Sequence, residues 1–139
     1  MRIVLDTNCL LPAIFPRSIY HWVWEYFRHE YFTLCYSNEI IAEYEELLST
    51  LYPPEMTNSI MLLLLNSRNV EKVIPYFKWN FISADPDDNK FVDCALHAGA
   101  DYIVTNDKHF NILKIIDFPK IDIIDIDTFK RMILSQQSP

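Results

Sequence analysis

Short apolar runs alternate with longer stretches of helical periodicity along this chain. The runs 3–5 and 102–104 have the length of buried strands, and residues 121–126 are predicted to form a third. Between these strands, the apolar spacing predicts helices over 38–51 and 86–98. Strands that alternate with helices are typical of an α/β domain with a parallel sheet, because parallel strands need a long crossover connection.

Length and composition favour one soluble domain. The chain has 139 residues and half of them are apolar, so we expect a single domain over 1–139, with 136–139 as a frayed tail. The longest unbroken apolar stretch, 60–65, is too short to cross a bilayer. Three cysteines without a C-x-x-C pair favour reduced thiols. We therefore expect a cytoplasmic protein that does not enter a membrane.

Gly99 is the only glycine in the sequence, and this excludes several ligand-binding motifs. A P-loop, a dinucleotide-binding fingerprint and an EF-hand loop each need glycine where the backbone turns sharply or approaches a ligand closely. Gly99 itself suits the left-handed residue just past the predicted helix 86–98. The formal net charge of −7 also argues against a broad basic surface for duplex nucleic acid.

Aspartates follow two of the predicted strands. Asp6 comes directly after the first strand, and Asp107 lies shortly after residues 102–104. Ligands of parallel α/β sheets bind outside the carboxyl ends of the strands, so we expect both side chains at the rim of one crevice. The hydroxyl of Thr105 is expected to bond to Asp6 or to a metal-bound water, and an ordinary threonine at the end of a strand is an equal alternative. Taken singly, each aspartate is also explained as the cap of a following helix.

Two further acids face inward in the predicted helices. At about 100° per residue, Glu43 falls on the flank of one apolar stripe and Asp88 projects along another. Asp93 lies to the side of the second stripe and is interpreted as solvated or as a supporting group. Asp85 has the position of an N-cap, where an acid is also expected for helix stability alone.

The inward acids predict a cation site. No Lys or Arg lies on the same helical stripes, and a charge that faces an apolar interface is costly unless it is paired or binds a metal. Carboxylate ligands without a His or Cys cluster favour Mg²⁺ or Mn²⁺ over Zn²⁺. Cys9 as a nucleophile beside a histidine base is a weaker alternative. We expect four acids to form the site: Asp6, Glu43, Asp88 and Asp107.

Four segments recur in an order and spacing that are specific when taken together: VLDTN (4–8), SNEIIAEY (37–44), DPDDNKF (85–91) and ADYIVTND (100–107). This pattern resembles that of PIN domains, and most closely the group of toxins from toxin–antitoxin pairs. The resemblance covers nearly the whole chain. It implies a three-layer α/β/α sandwich with a central parallel sheet. It also implies a metal-dependent ribonuclease that hydrolyses phosphodiester bonds by metal-activated water.

The resemblance also implies roles for particular residues. Supporting polar groups fall at Asn8 and Thr105, and Asp85 is an alternative to Asp88 as the third acid. The catalytic and metal-binding acids of the family fall on the four positions selected above, Asp6, Glu43, Asp88 and Asp107.

RNA is the substrate that the resemblance implies, and an antitoxin protein that inserts into or covers the site is the implied partner. A homodimer is a further expectation. Alternative functions are a catalytically silent PIN-like module for RNA binding or scaffolding, and a DNA-directed nuclease. A pocket that takes phosphate on Asp6 is disfavoured, because residue 8 is Asn and the first strand lacks an Asp-x-Asp pair. Four basic residues are expected to contact backbone phosphates: Arg17, Lys90, Lys108 and His109.

Overall fold

A computed structural model describes residues 1–136. The five strands are β1 (Arg2–Leu5), β2 (Thr33–Tyr36), β3 (Val70–Lys72), β4 (Tyr102–Val104) and β5 (Ile123–Ile124). The α-helices are α1 (Thr7–Ile14), α2 (His21–Arg28), α3 (Asn38–Leu51), α4 (Pro54–Leu65), α5 (Asn89–Ala98) and α6 (Ile126–Gln136). Two 3-10 helices span Pro86–Asp88 and Lys108–Ile115.

All five strands are parallel and form one sheet in the order β3-β2-β1-β4-β5. β1 is the central strand and pairs with β4 along its length, with Ile3 opposite Tyr102 and Leu5 opposite Val104. This arrangement confirms the predicted α/β/α sandwich with a central parallel sheet. Because β1 and β4 are neighbours that end together, the residues that follow them meet at one end of the sheet.

The core lies between the sheet and the helices. The inward stripe of α3 places Ile40, Tyr44 and Leu48 out of contact with solvent, as its spacing predicts. α5 packs across β1, β2 and β4. Gly99 ends α5 with a φ of 62°, which is the left-handed conformation predicted for it. Within the described residues, no helix has both the length and the apolar character needed to cross a membrane.

Several element boundaries differ from the prediction. The predicted strand 121–126 contains only two strand residues, Ile123–Ile124. The helix predicted over 86–98 begins as a single 3-10 turn and becomes α-helical only at Asn89. Helix α1 was not predicted, because Pro12 lies within it and a proline removes one backbone donor from a helix.

The carboxyl-terminal end also differs. Gln136 belongs to α6 and is not part of a frayed tail, whereas residues 137–139 lie outside the described residues. Asp125 precedes α6, and its Oδ1 accepts a hydrogen bond from the backbone N–H of Thr128 at 2.7 Å. Asp125 therefore caps this helix.

Candidate active site

The carboxyl ends of β1 and β4 place two aspartates close together. Asp6 follows β1 and begins α1, where its Oδ1 accepts a hydrogen bond from the backbone N–H of Asn8 at 3.4 Å. Asp107 begins the second 3-10 helix, and its Oδ1 accepts from the backbone N–H of His109 at 2.9 Å. Both aspartates therefore cap a helix and also lie at the same end of the sheet. The helix-cap interpretation and the site interpretation of these aspartates are therefore compatible with each other.

Thr105 connects the two aspartates. Its hydroxyl donates to Asp6 Oδ2 at 2.7 Å and accepts from the backbone N–H of Asp107 at 3.0 Å. Asp6 is almost fully buried, and this burial raises the pKa of its carboxyl group. The hydrogen bonds from Thr105 and from the Asn8 backbone oppose that rise in pKa, and the charges of Asp107 and Glu43 add to it. The predicted contact between Thr105 and Asp6 is present.

Glu43 reaches the same place from α3. Its Oε2 accepts a hydrogen bond from the Thr7 hydroxyl, and its Oε1 lies 2.8 Å from Lys90 Nζ. Lys90 Nζ also donates to the backbone oxygen of Asp87 at 2.9 Å. The expectation that no cation pairs with the inward acids is therefore wrong for Glu43. Lys90 belongs to another helix, so an analysis of one helical stripe at a time could not detect the pair.

We call Asp6, Glu43, Asp88 and Asp107 the acid cluster. Of these four carboxyl groups, that of Asp88 has the fewest hydrogen-bond donors or cations near its oxygens. Its side chain is 12% exposed, and its Oδ2 is buried without a hydrogen-bond partner. Burial raises the pKa of Asp88 to about 7, and the neighbouring charges of Asp85, Asp107 and Asp6 contribute to the same rise. A buried oxygen acceptor without a donor is costly, and an ionised one is more so.

His109 lies among these acids. Its Nδ1 is 3.3 Å from Asp107 Oδ1 and 3.7 Å from Asp88 Oδ2. One ligand atom from each of Asp85, Asp88 and His109 lies within 4.8 Å of the other two. The residue pattern predicted a site without a histidine cluster, with His109 in contact with phosphates. Its position two residues after Asp107, in the turn that Asp107 caps, was the available signal.

These groups fit a hard divalent cation. Asp88 Oδ2 is a buried carboxylate oxygen without a donor, which is the type of atom that a bound cation stabilises. The three ligand atoms that lie within 4.8 Å of one another are two carboxylate oxygens, of Asp85 and Asp88, and one imidazole nitrogen, of His109. This set is compatible with Mg²⁺ and Mn²⁺. Both Asp85 and Asp88 are close enough to contribute, so the alternative between them remains open.

Asp93 differs from its predicted position. It is 6% exposed, which rules out the solvated interpretation. Its Oδ1 accepts a hydrogen bond from the backbone N–H of Trp79 at 3.1 Å. Asp93 therefore holds the extended segment before the first 3-10 helix against α5.

The remaining predicted residues differ in their exposure to solvent. Arg17 and Lys108 are exposed, and so is Asn8, whose backbone N–H bonds to Asp6. Cys9 is buried, and burial raises the pKa of its thiol to about 12. A thiol of this kind is a poor nucleophile at neutral pH, which argues against a cysteine mechanism.

Comparison with solved structures shows the same fold in three other proteins. The structure described as VapBC2 from Rickettsia felis bound to a DNA fragment from their promoter matches with a TM-score of 0.62 and 19% identity over 90% of this chain and 98% of that chain. The PIN domain endonuclease Utp24 matches with a TM-score of 0.51 and 19% identity, over 90% and 84% of the two chains. FitAB bound to the IR36 DNA fragment matches with a TM-score of 0.56 and 13% identity, over 88% and 94%.

A comparison of sequences identifies the family. No curated protein matches this chain. The family model of the PIN domain matches residues 2–109, which include all four acids of the cluster and most of the chain. The protein therefore belongs to the PIN domain family, whose members are generally nucleases.

Proposed function

We propose that this protein is a metal-dependent ribonuclease and the toxin of a toxin–antitoxin pair. Asp88 Oδ2, buried among other acids without a hydrogen-bond donor, is the observation that carries the proposal. A protein that kept this pocket only for structure would place a donor or an apolar group there. The proposed metal ligands and catalytic residues are Asp6, Glu43, Asp88 and Asp107.

A bound Mg²⁺ or Mn²⁺ would supply Lewis acidity towards the phosphodiester and lower the pKa of water. The side chains of the protein determine where that chemistry takes place. Thr105 orients Asp6 and, through the Asp107 backbone, the start of the 3-10 helix. Lys90 and Thr7 hold the Glu43 carboxylate towards the cluster. His109, beside Asp88 and Asp107, is placed to hold or move a proton at Nδ1.

The assignment to RNA and to a toxin rests on similarity. The segments around the four acids resemble those of PIN-domain toxins, and the fold is shared with VapBC2 and FitAB. We accordingly propose an antitoxin partner that covers the acid cluster, a homodimer, and a cytoplasmic site of action. The formal net charge of −7 opposes the approach of RNA, and bound divalent cations would reduce this repulsion.

Single-turnover cleavage of a mixed single-stranded RNA pool in the presence of Mn²⁺ tests the activity. We expect the parent protein to cleave, and Asp107→Asn to lower the rate by roughly a hundredfold or more, since a charged group at the reacting phosphate is lost. Asp127→Asn is the matched control, because it makes the same change of charge at an exposed position in the first turn of α6.

Three results would contradict the proposal in different ways. A parent protein that binds RNA but does not cleave it would be a silent PIN-like module. Cleavage of single-stranded DNA without cleavage of RNA would indicate a DNA-directed nuclease. Equal rates for the parent and Asp107→Asn would show that the acid cluster is not the active site.

A further inference from the structure

A cavity of about 260 Å³ lies next to the acid cluster, between β4, the second 3-10 helix and β5. We call it the β4–β5 pocket. One of its lining residues, Asp107, is an acid of the cluster, and another, Thr105, is hydrogen-bonded to Asp6 and Asp107. A strand whose phosphodiester lies at the cluster would therefore enter this pocket with an adjacent nucleotide. The cavity is smaller than a typical drug-sized site, which suits one group of a substrate.

The lining of the pocket is polar and carries both charges, with Lys108 and Lys114 alongside two aspartates, Asp107 and Asp125. Two asparagines also line it, and the amide oxygen of one of them, Asn106, accepts from the backbone N–H of Ile126 at 3.2 Å. The apolar residues of the lining are the two isoleucines of β5. A phosphate with its attached nucleoside needs the same combination of cationic, amide and apolar contacts.

The lysines of this pocket differ from Lys90. Lys90 Nζ is committed to Glu43 and to a backbone oxygen. Lys108 and Lys114 are exposed, and across residues 1–136 no hydrogen bond or ion pair engages either side chain. Of the two acids that line the pocket, Asp107 caps the second 3-10 helix and Asp125 caps α6. The hydrogen bonds from Thr128 lower the pKa of Asp125, and the charges of Arg131 and Lys114 add to that effect. Two lysines thus remain available to an anionic ligand.

We propose that the β4–β5 pocket binds the nucleotide next to the cleaved bond, with Lys108 and Lys114 contacting its phosphate. This inference rests on the proposed nuclease function and adds a substrate subsite to it. Lys114 is not among the phosphate contacts predicted from the sequence. The proposed phosphate contacts thereby lie away from Lys90, towards the β5 side of the cluster.

Binding of a labelled single-stranded RNA oligonucleotide, followed by fluorescence anisotropy over a series of salt concentrations, tests the subsite. Asp6→Asn serves as the background, so that the strand stays intact during the measurement. We expect Lys108→Met and Lys114→Met each to weaken binding about fivefold and to reduce the salt dependence by about 0.7 in log–log slope, the value for one lost phosphate contact on a single strand.

Lys72→Met is the matched control, since Lys72 is exposed on β3, at the opposite edge of the sheet. Its affinity and salt slope should equal those of the background protein. If Lys108→Met and Lys114→Met bind RNA with the affinity and salt slope of the background protein while the parent cleaves RNA, the proposed subsite is wrong. The proposed nuclease function is unaffected by that result. If the background protein does not bind RNA and the parent does not cleave it, both proposals fail.

Discussion

The two sides of the acid cluster are compensated to different degrees. On one side, Asp6 and Glu43 accept hydrogen bonds from threonine hydroxyls, and Glu43 also pairs with Lys90. We call these two residues the compensated side. On the other, Asp88 has a buried oxygen without a donor, and only the imidazole of His109 lies nearby, at 3.7 Å. We call Asp88 the uncompensated side.

This difference indicates which carboxylate depends most on a bound cation. Two carboxylates about 5 Å apart repel by roughly 3 kcal/mol at an effective dielectric of 20. On the compensated side, donors within the protein offset such repulsion. On the uncompensated side no hydrogen-bond donor offsets the repulsion, so it continues to destabilise the metal-free protein. A carboxylate of this kind is destabilising in the empty site and stabilising once a cation is bound.

The largest effect should come from the metal itself. Mn²⁺ at a hundred times its dissociation constant would stabilise the folded protein by about 2.7 kcal/mol. For a domain of this size, we expect the melting temperature to rise by roughly 10 °C. Asp6→Asn should remove most of that rise. Differential scanning calorimetry with Mn²⁺, with Ca²⁺ and with a chelator measures it, and a melting temperature unaffected by Mn²⁺ in the parent would contradict the metal site.

Breaking the compensated side should destabilise the protein without any metal. Lys90→Met leaves Glu43 without its ammonium partner, and the two side chains are only 12% and 25% exposed. We expect the free energy of unfolding to fall by about 1–3 kcal/mol in urea titrations. Lys72→Met, at an exposed position of β3, is the control and should have a much smaller effect. If Lys90→Met lowers the free energy of unfolding no more than the control does, the ion pair between Lys90 and Glu43 does not stabilise the fold.

Substitution of Asp88, the uncompensated side, should change the free energy of unfolding in the opposite direction. Asp88→Asn removes a buried carboxyl group whose ionised form has no donor, and the new amide can donate to a neighbouring carboxylate. The metal-free protein should therefore gain about 1 kcal/mol of stability, while its response to Mn²⁺ decreases. Urea titrations in a chelator and in Mn²⁺ measure both quantities. If Asp88→Asn destabilises the metal-free protein as Lys90→Met does, the two sides of the cluster do not differ.

Asp93 provides the smallest test, because it is a buried acid outside the cluster. Burial raises the pKa of Asp93 in the folded state, the charges of His97 and Lys78 oppose the rise, and the charge of Glu39 adds to it. A raised folded pKa means that ionisation favours unfolding. The resulting loss of stability is absent below the ordinary pKa of 3.8 and complete above the raised value.

Asp93→Asn keeps an oxygen for the Trp79 backbone N–H and abolishes this pH dependence. Relative to the parent, its stability should increase from about pH 4 towards neutrality, by less than about 1 kcal/mol. Thermal melts at several pH values measure the difference. A constant difference between the two proteins over that range would show that the environment of Asp93 does not favour its neutral form.

Much of the site could be predicted from local patterns. Asp6 was located by the strand that precedes it, and Thr105 was expected near it because the carboxyl ends of parallel strands lie at the same end of a sheet. Glu43 and Asp88 were selected by their angle on predicted helices, and both lie in the cluster. Their metal-binding roles stay predictions until the thermal measurements are made.

Other features depended on contacts between elements that are distant in the sequence. Lys90 pairs with Glu43 across two helices, and the buried position of Asp93 depends on Trp79 in a segment without regular structure. The position of His109 among the acids was not predicted, for a related reason, and its phosphate contact stays a prediction. Its spacing from Asp107 was visible, but the approach of Asp88 from another helix was not.

Local patterns in the chain specify the alternation of strands and helices, and thereby the sheet end at which the aspartates gather. They do so because apolar periodicity and helix caps act over a few residues. Which carboxylates receive donors depends instead on how the elements pack against one another. Compensation of a charge depends on distances of a few ångströms between atoms of different elements, and packing alone sets those distances.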